Sequence, residues 1–266
     1  MSAGPVILVT GASSGIGAAT ARLFASKGYR VVLAARRLER LQELEAEIEA
    51  EGGEAFSVDT DLNQLDQIQG LVEKALSHYG QIDVLLNNAG FGRTKWLEEL
   101  DPVKDIELQI QVNLNGVIQM TRAVLPHMLE RRSGHIINMA SMAGLVATPT
   151  YSIYAATKHG VRGFTEALRR EVGIWDIHVS AIYPGGVKTE FEKHTEAKRK
   201  TGITTPAALQ LSADDVAGAV YKVAKRPRGT TIIPWVNWIG VWVNTLFPWL
   251  NDWIIERTFT RPERDL

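Results

Sequence analysis

A doubly wound α/β fold, one domain built on a parallel sheet of about seven strands, is what this sequence predicts. Three observations carry that prediction. Short apolar, β-rich runs alternate with runs of helical period along most of the chain. No internal repeat, low-complexity linker or Pro/Gly/Ser-rich boundary divides it. The 266 residues, 45% hydrophobic and 22% charged, suit a globular chain able to bury a large core. A formal charge of -1 lacks the electrostatic footprint of a nucleic-acid binder, and zero Cys excludes disulfides, a catalytic thiol and Cys-ligated metals. Met1–Thr10 has neither the basic nor the long apolar region of a secretory leader, so a cytoplasmic location is expected.

The first strand is Val6–Thr10, and it runs into Thr10-Gly11-Ala12-Ser13-Ser14-Gly15-Ile16-Gly17 at the head of a helix, Gly15–Lys27. Glycines at 11, 15 and 17 let the backbone turn tightly and let a pyrophosphate approach the free N–H groups of the helix N-terminus. The spacing is Gly-x3-Gly-x-Gly, and a purely structural turn is the competing reading; its place between strand and helix favours phosphate binding. The second strand, Arg30–Ala35, ends where an acid would grip the ribose 2′-hydroxyl of NAD. Arg36 and Arg37 follow instead. A guanidinium clamps a 2′-phosphate, so NADP(H) is preferred over NAD(H), against the plainer view that both arginines are solvated. The helix Leu38–Glu51 carries Glu39, Glu43, Glu45, Glu47 and Glu49 as a solvated face.

Next come the strand Glu54–Asp59, the helix Leu65–Tyr79, the strand Asp83–Leu86 and a long helix, Val103–Glu130. After the strand His135–Ala140, the helix Ser152–Gly173 places Tyr154 and Lys158 one turn apart on a single face. A phenol titrates near about 10, and an adjacent ammonium favours its ionised form. Tyr151 lacks that partner, since Ala155 stands one turn on. The strand Ile177–Tyr183 precedes a polar, mixed-charge excursion, 186–211, of the length typical of functional loops. Ser212 and Asp215 cap the helix Ala213–Lys225, and Thr230–Ile233 is the last strand. The six His show no zinc-type spacing, so no metal is expected.

Taken together, these motifs resemble the short-chain dehydrogenase/reductases of the classical type, from about Pro5 to Ile233. The set is the Thr10–Gly17 loop, Asp61-Leu62, Asn87-Asn88-Ala89-Gly90, Asn113, Ser141, Tyr154-x3-Lys158 and Pro184-Gly185. The resemblance implies a Rossmann-type domain and an NADP(H)-dependent enzyme interconverting a secondary alcohol and a carbonyl. It implies that Gly11, Ser13, Ser14, Gly15, Ile16 and Gly17 hold coenzyme phosphate, with Asp61 and Leu62 beside the adenine. Asn88, Ala89 and Gly90 match the motif that steadies the sheet beside the coenzyme; Pro184, Gly185, Val187 and Thr189 match the segment against the nicotinamide. Ser141 matches the hydroxyl that polarises the substrate carbonyl, Tyr154 the proton donor and acceptor, and Lys158 the group that lowers the tyrosine pKa and holds the ribose. Asn113, rather than Asn115, matches the asparagine that anchors a relay water, because residues two apart on a helix point nearly opposite ways.

The substrate pocket is expected from Ser141–Tyr154, Phe91–Trp96, the 186–211 excursion and the tail, with Phe91, Trp96, Leu145 and Val146 hinting at an apolar ligand such as a lipid, steroid or aromatic ketone. Residues 1–233 form the coenzyme-binding and catalytic domain; residues 234–266 are an amphipathic, Trp-rich helical extension outside the resemblance. From Gly229 to Asn251 no charge occurs, and five of the seven Trp lie between Trp235 and Trp253. Asn237, Asn244 and Asn251 recur every seven residues, and with Gly240 and Pro248 they argue against a membrane span. Lys222, Lys225, Arg226 and Arg228 would suit anionic headgroups. The tail is therefore read as covering the pocket, meeting another subunit or docking at a membrane interface. Partners expected are a small apolar carbonyl or alcohol, further copies of the chain (dimer or tetramer), and no nucleic acid. A non-catalytic dinucleotide-binding module or a membrane-docking protein on the same fold is the alternative.

Overall fold

Every residue of strand β1, Val6–Thr10, is buried, and its side chains divide between two cores. Ile7 and Val9 point to one face of the sheet, Val6 and Leu8 to the other, as the two-residue period of a strand requires. The chain, described by a computed structural model over residues 4–190, 200–201 and 205–266, then alternates helix and strand. It runs α1 (Gly15–Ser26), β2 (Arg30–Ala35), α2 (Leu38–Ala50), β3 (Glu54–Asp59), α3 (Leu65–Tyr79) and β4 (Val84–Asn87). A short α4 (Leu108–Ile110) leads into α5 (Gly116–Arg131), β5 (Gly134–Met139), α6 (Ser152–Val172) and β6 (Ile177–Pro184). Then come α7 (Ala213–Lys225) and β7 (Thr230–Ile233). The strands form one seven-stranded sheet in the order β3-β2-β1-β4-β5-β6-β7, with every pairing parallel.

One core packs α1, α2 and α7 against the sheet through Phe24, Leu41, Leu44, Ile48, Val216 and Val220. The other packs α3, α5 and α6 through Ile68, Leu71, Met120, Val124 and Leu168. Because the chain winds from β1 to β2 and β3 on one side, and to β4 on the other, the carboxyl ends of β1 and β4 part and leave a cleft at the switch point. The predicted elements stand with ends shifted by one or two residues, the ordinary uncertainty of fraying termini. At α7 the capping box is formed: Asp215 N–H donates to Ser212 Oγ at 3.1 Å and Ser212 N–H to Asp215 Oδ2 at 2.9 Å.

The long helix expected over Val103–Glu130 is different. It opens with a π-helical segment, Pro102–Glu107, and after α4 a second one, Gln111–Asn115, precedes α5. Asp101 caps the start by accepting from Val103 N–H at 3.0 Å and Lys104 N–H at 2.8 Å. The wider π turns re-aim the side chains around Asn113, a device that recurs at functional sites.

Beyond β7 the tail forms α8 (Asn237–Leu246), α9 (Pro248–Ile255), a π turn over Glu256–Thr260 and the short α10 (Arg261–Glu263). Its polarity is inverted. Val241 packs on Val117, Tyr183 and Ile232, and Asn251 Nδ2 donates to Asn244 Oδ1 at 2.8 Å across the two helices. Trp235, Trp238, Trp242, Trp249 and Trp253 all face outward, Trp235 at 76% exposure. Phe259 is buried, and Arg264 lies 3.9 Å over the ring of Trp96 while pairing with Glu98 at 2.6 Å. Among the described residues no helix is long and apolar enough to cross a membrane.

Candidate active site

The glycine loop does what its composition demands. Gly11 and Gly15 take φ of 68° and 54°, left-handed values that exclude a β-carbon without strain. Helix α1 starts at Ser14 with no side-chain cap, so the N–H groups of its first turn remain for an anion. The loop is fixed from beneath by β4. Asn88 N–H and Ala89 N–H donate to Thr10 Oγ1 at 3.0 and 3.1 Å, and Asn88 Nδ2 donates to the Thr10 carbonyl at 3.0 Å. Deeper in the sheet Asn87 Nδ2 reaches Asn138 Oδ1 at 2.9 Å, and Asn138 Nδ2 reaches Thr165 Oγ1 at 2.9 Å. Asn138 was not among the residues singled out from the sequence; a buried amide in an apolar strand was its only signal.

These residues line one end of a cleft of about 1300 Å³. Gly11, Ser13, Ser14, Gly15 and Ile16 form its floor there, with Arg36, Arg37, Asp61 and Leu62 around the rim and Asn88, Ala89 and Gly90 alongside. Gly17 lies behind the floor, where a β-carbon would strike the Gly11 carbonyl. The arginines differ. Arg36 is exposed, whereas Arg37 crosses the loop, donating from Nε and Nη2 to Ser13 Oγ at 3.2 and 2.9 Å and from Nη2 to Ser14 Oγ at 2.9 Å. Asp61 accepts from Asn63 N–H at 3.0 Å, which turns its carboxylate at the end of β3.

At the other end Ser141, Tyr154 and Lys158 meet. Ser141 follows β5 and caps a short 3-10 turn, accepting from Ala143 N–H at 3.2 Å. Its side chain is hydrogen-bonded to Tyr154, which acts against the burial that pushes the phenol up to about 12. Lys158 is buried, with Nζ 5.6 Å from the Tyr154 ring centroid and donating to the Met139 carbonyl at 2.9 Å. Burial brings its ammonium down to about 8. The expectation that Lys158 lowers the tyrosine pKa is therefore not met by the protein alone. Desolvation pushes both groups toward their neutral forms, and the Ser141 hydrogen bond opposes it at Tyr154.

Asn113 is buried while Asn115 is exposed and bonds Gln111, so the choice between them follows the helix geometry. Asn113 does not line the cleft. Its Oδ1 accepts from Phe91 N–H at 2.9 Å and its Nδ2 donates to the Phe91 carbonyl at 2.6 Å. At Gly90 a β-carbon would lie 3.0 Å from Asn113 Oδ1 and 3.6 Å from Lys158 Nζ, so the glycine sits closely between the asparagine and the lysine.

Pro184, Gly185, Val187 and Thr189 line the cleft after β6, and Thr189 sits against Gly15. Phe91, Leu108, Val112, Met142 and Val146 give the end near Tyr154 an apolar wall, and Tyr151 shares it. Two expected pocket residues are elsewhere. Leu145 packs on the core around Val117 and Tyr183, and Trp96 is taken up by Phe259 and Arg264 of the tail. No tail residue lines the cleft, and residues 191–199 and 202–204 of the excursion lie outside the described residues. Among the described residues no His, Asp and Glu cluster could hold a metal.

The residues fit a dinucleotide. A glycine cradle opens an uncapped helix at one end, and a hydroxyl, phenol and ammonium converge at the other. Residues 5–200 match the short chain dehydrogenase family. An uncharacterized oxidoreductase of Staphylococcus saprophyticus is 37% identical over 231 residues, covering 85% of this chain and 92% of its own. The 3-oxoacyl-[acyl-carrier-protein] reductase FabG of Thermotoga maritima is 39% identical over 202 residues, 76% of this chain and 82% of its own. Among solved structures, a short-chain dehydrogenase from Sphingobium yanoikuyae in complex with NADPH superposes with a TM-score of 0.80 at 29% identity, covering 93% of this chain and 96% of its own. One from Burkholderia phymatum in complex with NAD gives 0.84 at 29% identity, covering 93% and 95%.

Proposed function

This chain belongs to the short chain dehydrogenase family, and from that premise we propose that it is an NADP(H)-dependent oxidoreductase interconverting a secondary alcohol and a carbonyl on an apolar substrate. The observation that carries the reading is the meeting of Ser141, Tyr154 and Lys158 at the apolar end of a cleft whose other end is the glycine loop. Bound NADPH would supply the hydride.

In the reducing direction the Tyr154 hydroxyl donates its proton to the developing alkoxide, and the Ser141 hydroxyl holds the same oxygen. A phenol pushed up to about 12 is fully protonated at neutral pH, the form a donor needs. Lys158, beside Tyr154, would hold the ribose of a bound coenzyme, and its ammonium would favour phenolate when alcohol is oxidised. Asn113 positions rather than reacts: it fixes Phe91 and Gly90 beside Lys158, next to the relay water expected there. Arg37 and Arg36 at the end of β2 favour NADP over NAD, as does the likeness to a relative solved with NADPH; the neighbour solved with NAD makes the choice worth measuring. FabG of T. maritima is by name a reductase of an acyl ketone, which accords with carbonyl reduction here.

A panel of apolar and aromatic ketones with NADPH, followed by nicotinamide absorbance, tests the reading. Turnover of none of them, with coenzyme bound, would favour a non-catalytic dinucleotide sensor. NADPH should exceed NADH at least tenfold in kcat/KM, a gap of about 1.4 kcal/mol. The outward Trp face of the tail belongs to the same proposal as a surface covered by lipid or a second subunit; flotation with liposomes and sizing of the free protein tell the two apart.

A further inference from the structure

At the coenzyme-phosphate end of the cleft Arg37 is already in use. Arg37 has five N–H donors in one plane. Nε and Nη2 serve Ser13 and Ser14, and Nη1 reaches Glu190 Oε2 at 3.4 Å. Arg40, one turn into α2, donates from Nη1 to both Glu190 oxygens at 3.1 Å. Glu190 comes from the far side of the cleft, 153 residues along the chain from Arg37, just after Thr189 crosses Gly15. Arg36, Arg37, Ser13, Ser14 and Glu190 all border the same end of the cavity. A carboxylate of the chain thus sits on the donors that an NADP-type coenzyme would use.

Building on the coenzyme assignment above, we propose that Glu190, held also by Arg40, competes with the 2′-phosphate for Arg37, and so sets how strongly the protein discriminates NADP from NAD. A 2′-phosphate carries more charge than a carboxylate and three acceptor oxygens, so it displaces Glu190 from the fork, at the expense of the two ion pairs. A 2′-hydroxyl is neutral, makes no claim on the guanidinium and leaves the pairs intact. Glu190 therefore weakens one coenzyme and is indifferent to the other. All three side chains are roughly two-fifths exposed, which confines the effect to that of surface ion pairs, about two- to fivefold. The arginines hold the Glu190 carboxyl below its usual range, so the competition persists across the working pH of the protein.

The test uses Glu190→Gln and two probes without nicotinamide, adenosine 2′,5′-bisphosphate and 5′-AMP, titrated calorimetrically into the full chain at fixed low salt. The variant should bind the bisphosphate about two- to fivefold more tightly and 5′-AMP as the parent does, which also certifies an intact site. Equal tightening for both probes would reduce Glu190 to a general charge effect and overturn the inference. No change, or weaker bisphosphate binding, would overturn it too, the latter making Glu190 a support for Arg37. The coenzyme assignment is read separately, in the parent. If the parent binds the bisphosphate no better than 5′-AMP, the assignment falls and this inference with it; an unchanged ratio in the variant removes the inference alone.

Discussion

In the body of the molecule the sheet and its helices enclose two large apolar cores; in the tail the largest apolar side chains face solvent. Strand β1 hides all five of its residues, and Phe24 of α1 is wholly enclosed against Tyr29 and Tyr221. Helices α8 and α9 instead turn Asn244 and Asn251 toward each other and present Trp238, Trp242, Trp249 and Trp253 outward. A folding chain gains about 25 cal/mol for each Å² of apolar surface removed from water. The body collects that gain by itself. The tail leaves much of it uncollected, with Trp235, Trp238, Trp242, Trp249 and Trp253 all exposed. The contrast teaches that residues 5–233 hold buried cores of their own, whereas the tail keeps its indoles in solvent.

Substitutions on either side can break or sharpen this contrast. Tyr154→Phe should reduce kcat by about a thousandfold or more while coenzyme affinity stays within about twofold. Tyr151→Phe, in the same wall of the cleft, should cost less than about threefold; the reverse pattern would move the proton-transfer role to Tyr151. For the core, Phe24→Ala should lower unfolding free energy by about 3–5 kcal/mol in urea titration. Loss under about 1 kcal/mol would mean that the body is not packed as described.

Lys158→Met probes the body at a cation buried in the cleft. Ordinary Lys titrates near about 10.4, and here burial holds it at about 8, so the folded state resists the ion. Its folded pKa lies below the unfolded one; the penalty is therefore present below pH 8 and fades as pH rises from about 8 toward 10.4. At pH 7 the variant should be inactive yet more stable, by about 1–3 kcal/mol in thermal or urea unfolding. The stability difference should shrink above pH 8, and a difference independent of pH would reject the ion as its cause.

The smallest effect on folding is expected from the tail. Trp249→Ala should change stability by less than about 0.5 kcal/mol, although Trp is larger than the Phe24 whose loss is so costly. Its effect should appear instead in association: less liposome flotation, or a lower oligomer in sedimentation. Truncation after Ile233 should keep the coenzyme site and abolish that association. It also uncovers Trp96 by removing Phe259 and Arg264, while substrate KM should stay within about twofold because neither Trp96 nor the tail lines the cleft.

Much of this was legible because it is local. Strand Val6–Thr10, helix Leu65–Tyr79 and the Ser212–Asp215 cap depend on residues close in sequence, and each stands where the period and capping rules put it. The one-turn spacing of Tyr154 and Lys158 fixed their shared face for the same reason. What escaped depends on distant pairs or on broken period. Asn113 reaches Phe91 through a π-helical turn, which no 3.6-residue pattern announces. Trp96 reads as a pocket residue until the tail, more than 160 positions later, places Phe259 and Arg264 upon it. The Asn237, Asn244, Asn251 stripe was visible, but which way it faced was not; periodicity defines a face and cannot say whether that face turns in or out.

The outward indoles carry an optical consequence. Five of the seven Trp stand in contact with solvent on one surface, so the intrinsic emission of the free protein should be dominated by wet indoles and strongly red-shifted. Trp96, with a guanidinium against its ring, is shielded from that surface. Whatever covers the tail must dry those same rings. The chain therefore signals its own engagement without a label, as a blue shift and protection from iodide, at a site separate from the nicotinamide whose absorbance follows the reaction.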